Sequence, residues 1–192
     1  MTAAETLWDV AVVGAGLAGI TVAARLARAG GSVLLVDKGR FPRSKTCGGT
    51  LNSRAVRSLH RLGYERLLAS LHPVPLAGVE WRAGSGTRAW MPFAEADGAG
   101  ALGVSRWALD AALLEDAVGA GVVFHDSTRC TGSDLAGEHR TIHLRGEGGA
   151  WSASARVVVA ADGLGSALLR GGATASRGPY IGCSAMVATG GL

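Results

Sequence analysis

The chain has 192 residues, 48% of them hydrophobic, which suits one domain with a sizeable core, or one domain and part of a second, and excludes global disorder. Its formal charge of +4 is carried almost wholly by arginines spread along the chain, with a modest cluster from Arg40 to Arg66; aromatics are 5% and scattered, so the basic, aromatic-bearing stripe of a nucleic-acid reader is missing and no nucleic-acid partner is expected. The three cysteines (Cys47, Cys130, Cys183) form no CxxC pair and the five histidines show no ligand spacing, which argues against a disulfide framework and a zinc site; no metal is expected, and a reducing cytoplasm fits.

The apolar run from Val10 to Ala24 is preceded by Glu5 and Asp9 with no Lys or Arg, unlike a secretion signal, and it is too short and too glycine-rich to span a bilayer. No transmembrane segment is expected. Residues 8–13, WDVAVV, instead read as a buried parallel strand. LAGITVAARLARAGG follows as a helix, closed by Gly30 and Gly31, and residues 32–37 form a second buried strand. The loop GRFPRSKTCGGT leads to one long helix, NSRAVRSLHRLGYERLLAS, with Ser53 as its cap. VPLAGVEWRAGSGTRAWMPF reads as a β-hairpin around Gly84–Gly86, and ADGAGALG as a mobile turn. Ser105 caps a helix to Ala120 with Leu109, Leu113 and Val118 on one face; strand-like runs fill 122–135, 140–146 and 153–161, and YIGCSAMV opens another from Tyr180.

The chemistry begins at AVVGAGLAGI. Gly14, Gly16 and Gly19 form G-x-G-x-x-G between a strand and a helix: the first glycine makes the turn, the second lets backbone approach a pyrophosphate, the third lets helix and strand pack closely. Gly14, Ala15, Gly16, Leu17, Ala18 and Gly19 are therefore candidate cofactor-binding residues, their amides facing a diphosphate at the positive end of the helix. Asp37 ends the next strand close to the expected spacing, with Lys38 beside it; a carboxylate there accepts hydrogen bonds from ribose hydroxyls and disfavours a 2′-phosphate. This pattern does not separate NAD from FAD. A Tyr-x-x-x-Lys pair is absent, since Leu68 and Ser184 stand four places after Tyr64 and Tyr180. Asp162 and Gly163 follow a second very apolar strand, where an acid meets the ligand crevice.

With these residues in place, the chain resembles the flavoprotein monooxygenase superfamily, whose fold is that of p-hydroxybenzoate hydroxylase, and within it the geranylgeranyl reductase-like branch. GAGLAG with Asp37 resembles the ADP-binding fingerprint. Residues 41–63, FPRSKTCGGTLNSRAVRSLHRLG, resemble that branch's Lys-x-Cys-Gly-Gly loop and following helix, which makes Lys45, Gly48 and Gly49 candidates; Arg106 in VSRWALD resembles a flavin-contacting arginine; AADGLGSALLR resembles the Asp-Gly motif beside the pyrophosphate.

The resemblance implies FAD, with NAD(P)H an open choice of electron donor, and an apolar or aromatic small-molecule substrate. It implies an α/β fold: a Rossmann-like FAD-binding domain over 1–170, with a parallel sheet, helices, a β-meander and an inserted hairpin near 74–93, then the beginning of an incomplete β-rich substrate domain at 171–192. Cys47 lies in the reductase-like loop, but a lone cysteine is more often inert than reactive, and no catalytic acid or base is identified. The superfamily's later Gly-Asp motif has no counterpart, because the chain contains no Gly-Asp pair. The expectation is thus the amino-terminal part of a reductase, binding FAD weakly by itself, with a second chain as one way to complete the fold. A flavin-dependent aromatic monooxygenase or halogenase, or a nucleotide-binding remnant without activity, are the alternatives.

Overall fold

The computed structural model describes residues 6–45, 47–93, 99–163, 166 and 168. They divide into two compact units: one holds the chain up to Arg43 and again from Asp110, the other Ser44–Leu109.

In the first unit β1 (Leu7–Val13), α1 (Leu17–Arg28) and β2 (Val33–Val36) follow the expected strand, helix, strand order. All four residues of β2 are buried, as in a parallel strand covered on both faces. Further strands are β8 (Val123–His125), β9 (Arg129–Ala136), β10 (His139–Gly146) and β11 (Gly149–Ala160), and among the described residues the sheet order is β8-β2-β1-β11-β10-β9. β8, β2, β1 and β11 pair in parallel; β9, β10 and β11 form an antiparallel meander. β11 serves both halves, its early residues pairing with β10 and its later ones with β1. One buried cluster joins the meander to the parallel strands: Cys130, Ile142 and Leu144 pack with Ala11, Val13, Leu34 and Val36. This is the α/β, Rossmann-like architecture with a β-meander that the resemblance implies.

The second unit carries a three-stranded antiparallel sheet of β3 (Thr50–Leu51), β7 (Ala101–Gly103) and β4 (Val74–Leu76), and the hairpin of β5 (Gly78–Arg82) and β6 (Arg88–Pro92). The single long helix expected after residue 51 is two: α2 (Ser53–Arg61) and α3 (Glu65–Ser70). Gly63 takes φ 85°. Its amide bonds the His60 carbonyl and that of Tyr64 bonds the Leu59 carbonyl, both at 2.9 Å, a Schellman close that ends α2. The cap is Asn52, whose side chain accepts from Ala55 N at 2.9 Å, and not Ser53. Val74–Leu76 leaves the hairpin to pair with β7, and Ala101–Gly103 of the expected mobile turn is that strand, pairing holding a glycine-rich segment extended. Residues 94–98, like the strand from Tyr180 and the whole 171–192 segment, lie outside the described residues.

α4 (Arg106–Gly119) carries the chain back into the first unit. Ser105 caps it, its hydroxyl accepting from Ala108 N at 3.4 Å. Leu109 and Leu113 are buried as expected, but Val118 is 48% exposed, being nine positions from Leu109 and so half a turn round the helix from that stripe. No described helix is long and apolar enough to cross a membrane.

Ile142 is fully buried where meander and parallel strands share their core. Ile142→Ala should cost about 2–5 kcal/mol in urea denaturation, whereas Leu135→Ala, at a 69% exposed site on β9, should stay within about 0.5 kcal/mol.

Candidate functional site

β1 runs out at Val13 into a backbone that admits no side chain. Gly14 takes φ 105°, and its amide bonds the Val36 carbonyl at 2.8 Å. A Cβ there would overlap the backbone of Ala161 and Asp162, and one on Gly19 would overlap the Gly14 carbonyl. Two glycines of the motif are thus demanded by backbone packing on backbone. Gly16 is the extended N-cap of α1, with no side-chain cap and no acid in the first turn. The amides of Leu17, Ala18 and Gly19 therefore open the helix at its positive end without an internal anion.

Asp37 is 7% exposed and its carboxylate is heavily engaged. Oδ2 accepts from Ala15 N at 2.7 Å and from Arg43 Nη2 at 3.2 Å; Oδ1 accepts from Gly39 N at 2.8 Å. The acid thus binds the glycine turn to the loop after β2. That loop is tied in turn to the β8–β9 connection: Thr128 N bonds the Asp37 carbonyl at 2.8 Å, Asp126 accepts from Phe41 N at 2.9 Å, and Phe41 meets Phe124 edge-on at 5.3 Å.

A cleft of about 60 Å³ opens at the carboxyl ends of the parallel strands. It is lined by Val13, Gly14, Val36, Asp37, Lys38, Thr128, Arg129, Cys130 and Asp162. Lys38 and Arg129 are exposed cations at the rim. Burial pushes the Cys130 thiol above its ordinary range, and the Asp162 charge pushes the same way. Gly163 is exposed just beyond.

The structure therefore brings together, in one unit, Gly14 to Gly19, Asp37, Lys38 and Asp162, with Gly163 adjoining. Lys45, Gly48, Gly49 and Arg106 belong to the other unit. There Lys45 and Gly48 are exposed, and Gly49 donates from its amide to Cys47 Sγ at 3.4 Å and accepts from Val104 N at 2.8 Å. Arg106 is half-buried in the first turn of α4. Sequence reasoning missed Thr128, Arg129, Cys130 and Arg43. The first three carry no motif and reach the cleft through tertiary contacts such as that of Thr128 N with the Asp37 carbonyl; Arg43, six places after Asp37 in the same loop, was within reach as a nearby opposite charge.

A glycine cradle too tight for any Cβ, an uncapped helix start and a strand-end carboxylate fit the adenosine diphosphate half of a dinucleotide. Among known families, the FAD binding domain matches residues 8–175. The chain belongs to this family. It is 56% identical over 61 residues to the menaquinone reductase of Mycobacterium tuberculosis, a stretch covering 32% of this chain and 15% of that protein. It is 30% identical over 166 residues to the kynurenine 3-monooxygenase of Myxococcus xanthus, covering 83% of this chain and 36% of that one. Two solved structures at 25% identity are similar: a flavoprotein/dehydrogenase from Cytophaga hutchinsonii (TM-score 0.72, 83% of this chain and 40% of that one) and the myxobacterial chondrochloren halogenase (TM-score 0.73, 85% and 39%). The chain thus spans well under half the length of these relatives.

Two glycines of this FAD binding domain should differ sharply. Gly14→Ala adds a Cβ to an occupied space at φ 105° and should lose at least about 3 kcal/mol in urea denaturation. Gly163→Ala, at φ 75° with nothing within 4 Å, should lose about 1 kcal/mol. With Cys47 and Cys183 replaced by Ser, Cys130 should react with iodoacetamide more slowly than a free thiol at neutral pH. Its rate should climb only above the ordinary thiol range, and urea should abolish the difference.

Proposed function

We propose that the chain is the FAD-holding part of a flavin-dependent oxidoreductase acting on an apolar or aromatic small molecule, and that within the family it belongs to the geranylgeranyl reductase-like branch. The observation that carries the cofactor assignment is the Asp37 carboxylate hydrogen-bonded to Ala15 inside the glycine turn, which holds a ribose acceptor beside the start of α1. In this reading the amides of Leu17, Ala18 and Gly19 face the diphosphate, with Ala15 and Gly16 leaving room for it. Asp37 takes a ribose hydroxyl with Lys38 at the rim, and Asp162 and Gly163 lie along the pyrophosphate side. Lys45, Gly48, Gly49 and Arg106 serve the flavin side. Bound there, FAD supplies hydride chemistry, while the protein orients the ring and keeps water from it.

The reductase branch is supported by the Lys-Thr-Cys-Gly-Gly loop and by the 56% identity with the menaquinone reductase, whose name points to a quinone-bearing apolar substrate. A second reading, aromatic hydroxylation, is supported by the longer matches to monooxygenases, including 36% identity over 166 residues with a Streptomyces platensis 3-amino-4-hydroxybenzoate 2-monooxygenase. We further propose NAD(P)H as electron donor, a cytoplasmic setting, residues 1–170 as one FAD-binding domain with the hairpin near 74–93 inserted, and a second chain or segment that walls the substrate pocket.

The purified chain should gain thermal stability from FAD and turn yellow, a colour that dithionite bleaches. Gly16→Val should abolish the FAD-induced rise in Tm. A colourless protein stabilised by NAD and not by FAD would refute the assignment and favour a nucleotide-binding remnant.

A further inference from the structure

Asp37 does not stand alone at the ribose position. Arg43 Nη2 reaches its Oδ2 at 3.2 Å and, with its other hydrogen, the Ala15 carbonyl at 3.1 Å. One nitrogen thus bridges the acid and the glycine turn. The guanidinium carbon lies 4.9 Å from the Phe41 ring centroid, and Phe41 is itself held by Phe124 and Asp126. The Arg43 stem crosses Gly39 so closely that a Cβ there would come within 2.7 Å of Cδ. Among the described residues Nε is buried without a hydrogen bond, and the Nη2 bridge and this packing hold the side chain. Asp37 and Lys38 line the cleft and Arg43 does not.

We infer that Arg43 is a positioning residue that sets what the site accepts at the ribose 2′ position, an inference that rests on the nucleotide reading above. Arg43 acts through Asp37 in two ways. It fixes the carboxylate against the turn, leaving of its roughly four lone-pair sites one that the three donors do not use. It also neutralises that carboxylate, which alone would face a 2′-phosphate with like charge at short range, where the repulsion is barely screened. With Arg43 in place, and with Lys38 at the rim, the subsite is not negative, so Asp37 does not act as a filter against phosphorylated ribose. That revises the expectation drawn from the acid alone: adenosine 2′-phosphates, the class that includes NADP(H), should enter this subsite as well as unphosphorylated adenosine ligands.

The test is calorimetric binding of 5′-ADP and 2′,5′-ADP to the folded chain. The wild type should bind the two within about tenfold of each other. Arg43→Gln should weaken 5′-ADP about tenfold, the scale of one charge-assisted hydrogen bond, and should weaken 2′,5′-ADP about a hundredfold, so that the ratio widens about tenfold. Arg43→Lys keeps the charge without the planar bridge; it should keep the wild-type ratio while losing absolute affinity. If Arg43→Gln fails to fold, Gly39→Ala, which retains every charge but crowds Arg43, should lower 5′-ADP affinity. Equal losses for both ligands in Arg43→Gln, or a wild type that rejects 2′,5′-ADP a thousandfold, would overturn the inference and leave the nucleotide reading standing. A wild type that binds neither ligand would overturn the nucleotide reading and this inference with it.

Discussion

Three stretches of backbone meet where there is no room for a side chain: the turn after β1, the first turn of α1 and the end of β11. Gly14 lies against Ala161 and Asp162, and Gly19 lies against the Gly14 carbonyl. The amide of Gly14 extends the ladder to Val36 and that of Ala161 bonds the Val13 carbonyl, both at 2.8 Å. The rest of the first unit depends on this contact. It fixes where α1 starts, so it fixes where the positive helix end points, and it sets the end of β11 beside the end of β1, so Asp37 and Asp162 share one cleft.

Asp37 makes several structural contacts with one carboxylate. Its bonds to Ala15, Gly39 and Arg43 fasten the turn to the loop after β2, and the Thr128 amide on its carbonyl fastens that loop to the meander side. A carboxylate with this many partners stays in position without a ligand to order it, which lowers the entropic cost of recognition. The cleft that results mixes two buried or half-buried acids with exposed Lys38 and Arg129 at its edge, a balance suited to a ligand that carries both hydroxyls and phosphates.

How much of this was legible in the sequence follows from how local each signal is. The strand, glycine turn, helix, strand and terminal acid from Leu7 to Asp37 are contiguous, and each piece has its own pattern, so the order and the role of Gly14 and Gly19 could be read directly. The break between α2 and α3 was not, because Gly63 sits inside an unbroken helical stripe and its effect depends on a Schellman close with Tyr64. Strands as short as β3 and β7 show no periodicity and exist through their pairing. Thr128, Arg129 and Cys130 reach the cleft through tertiary contacts between segments about 90 residues apart (Asp37 with Thr128), which no local pattern encodes. Arg43, six places after Asp37 in the same loop, was within reach as an opposite charge, but the charge-rich composition of that loop did not single it out.

The double pairing of β11 has a consequence for how the molecule comes into being. β1 gains its second neighbour only when residues 154–160 arrive, since Leu7 pairs with Ser154 and Val13 with Ala160. Until the ribosome has delivered them, one flank of an apolar strand made early in translation stays unzipped, a template for wrong partners. Closing it requires ends about 150 positions apart to meet, a slow step by its topology. The meander, made of neighbouring hairpins, can form first and bring the late half of β11 to its place already straightened. The strand that waits longest for its second neighbour, β1, is thus the one whose end runs into the glycine turn.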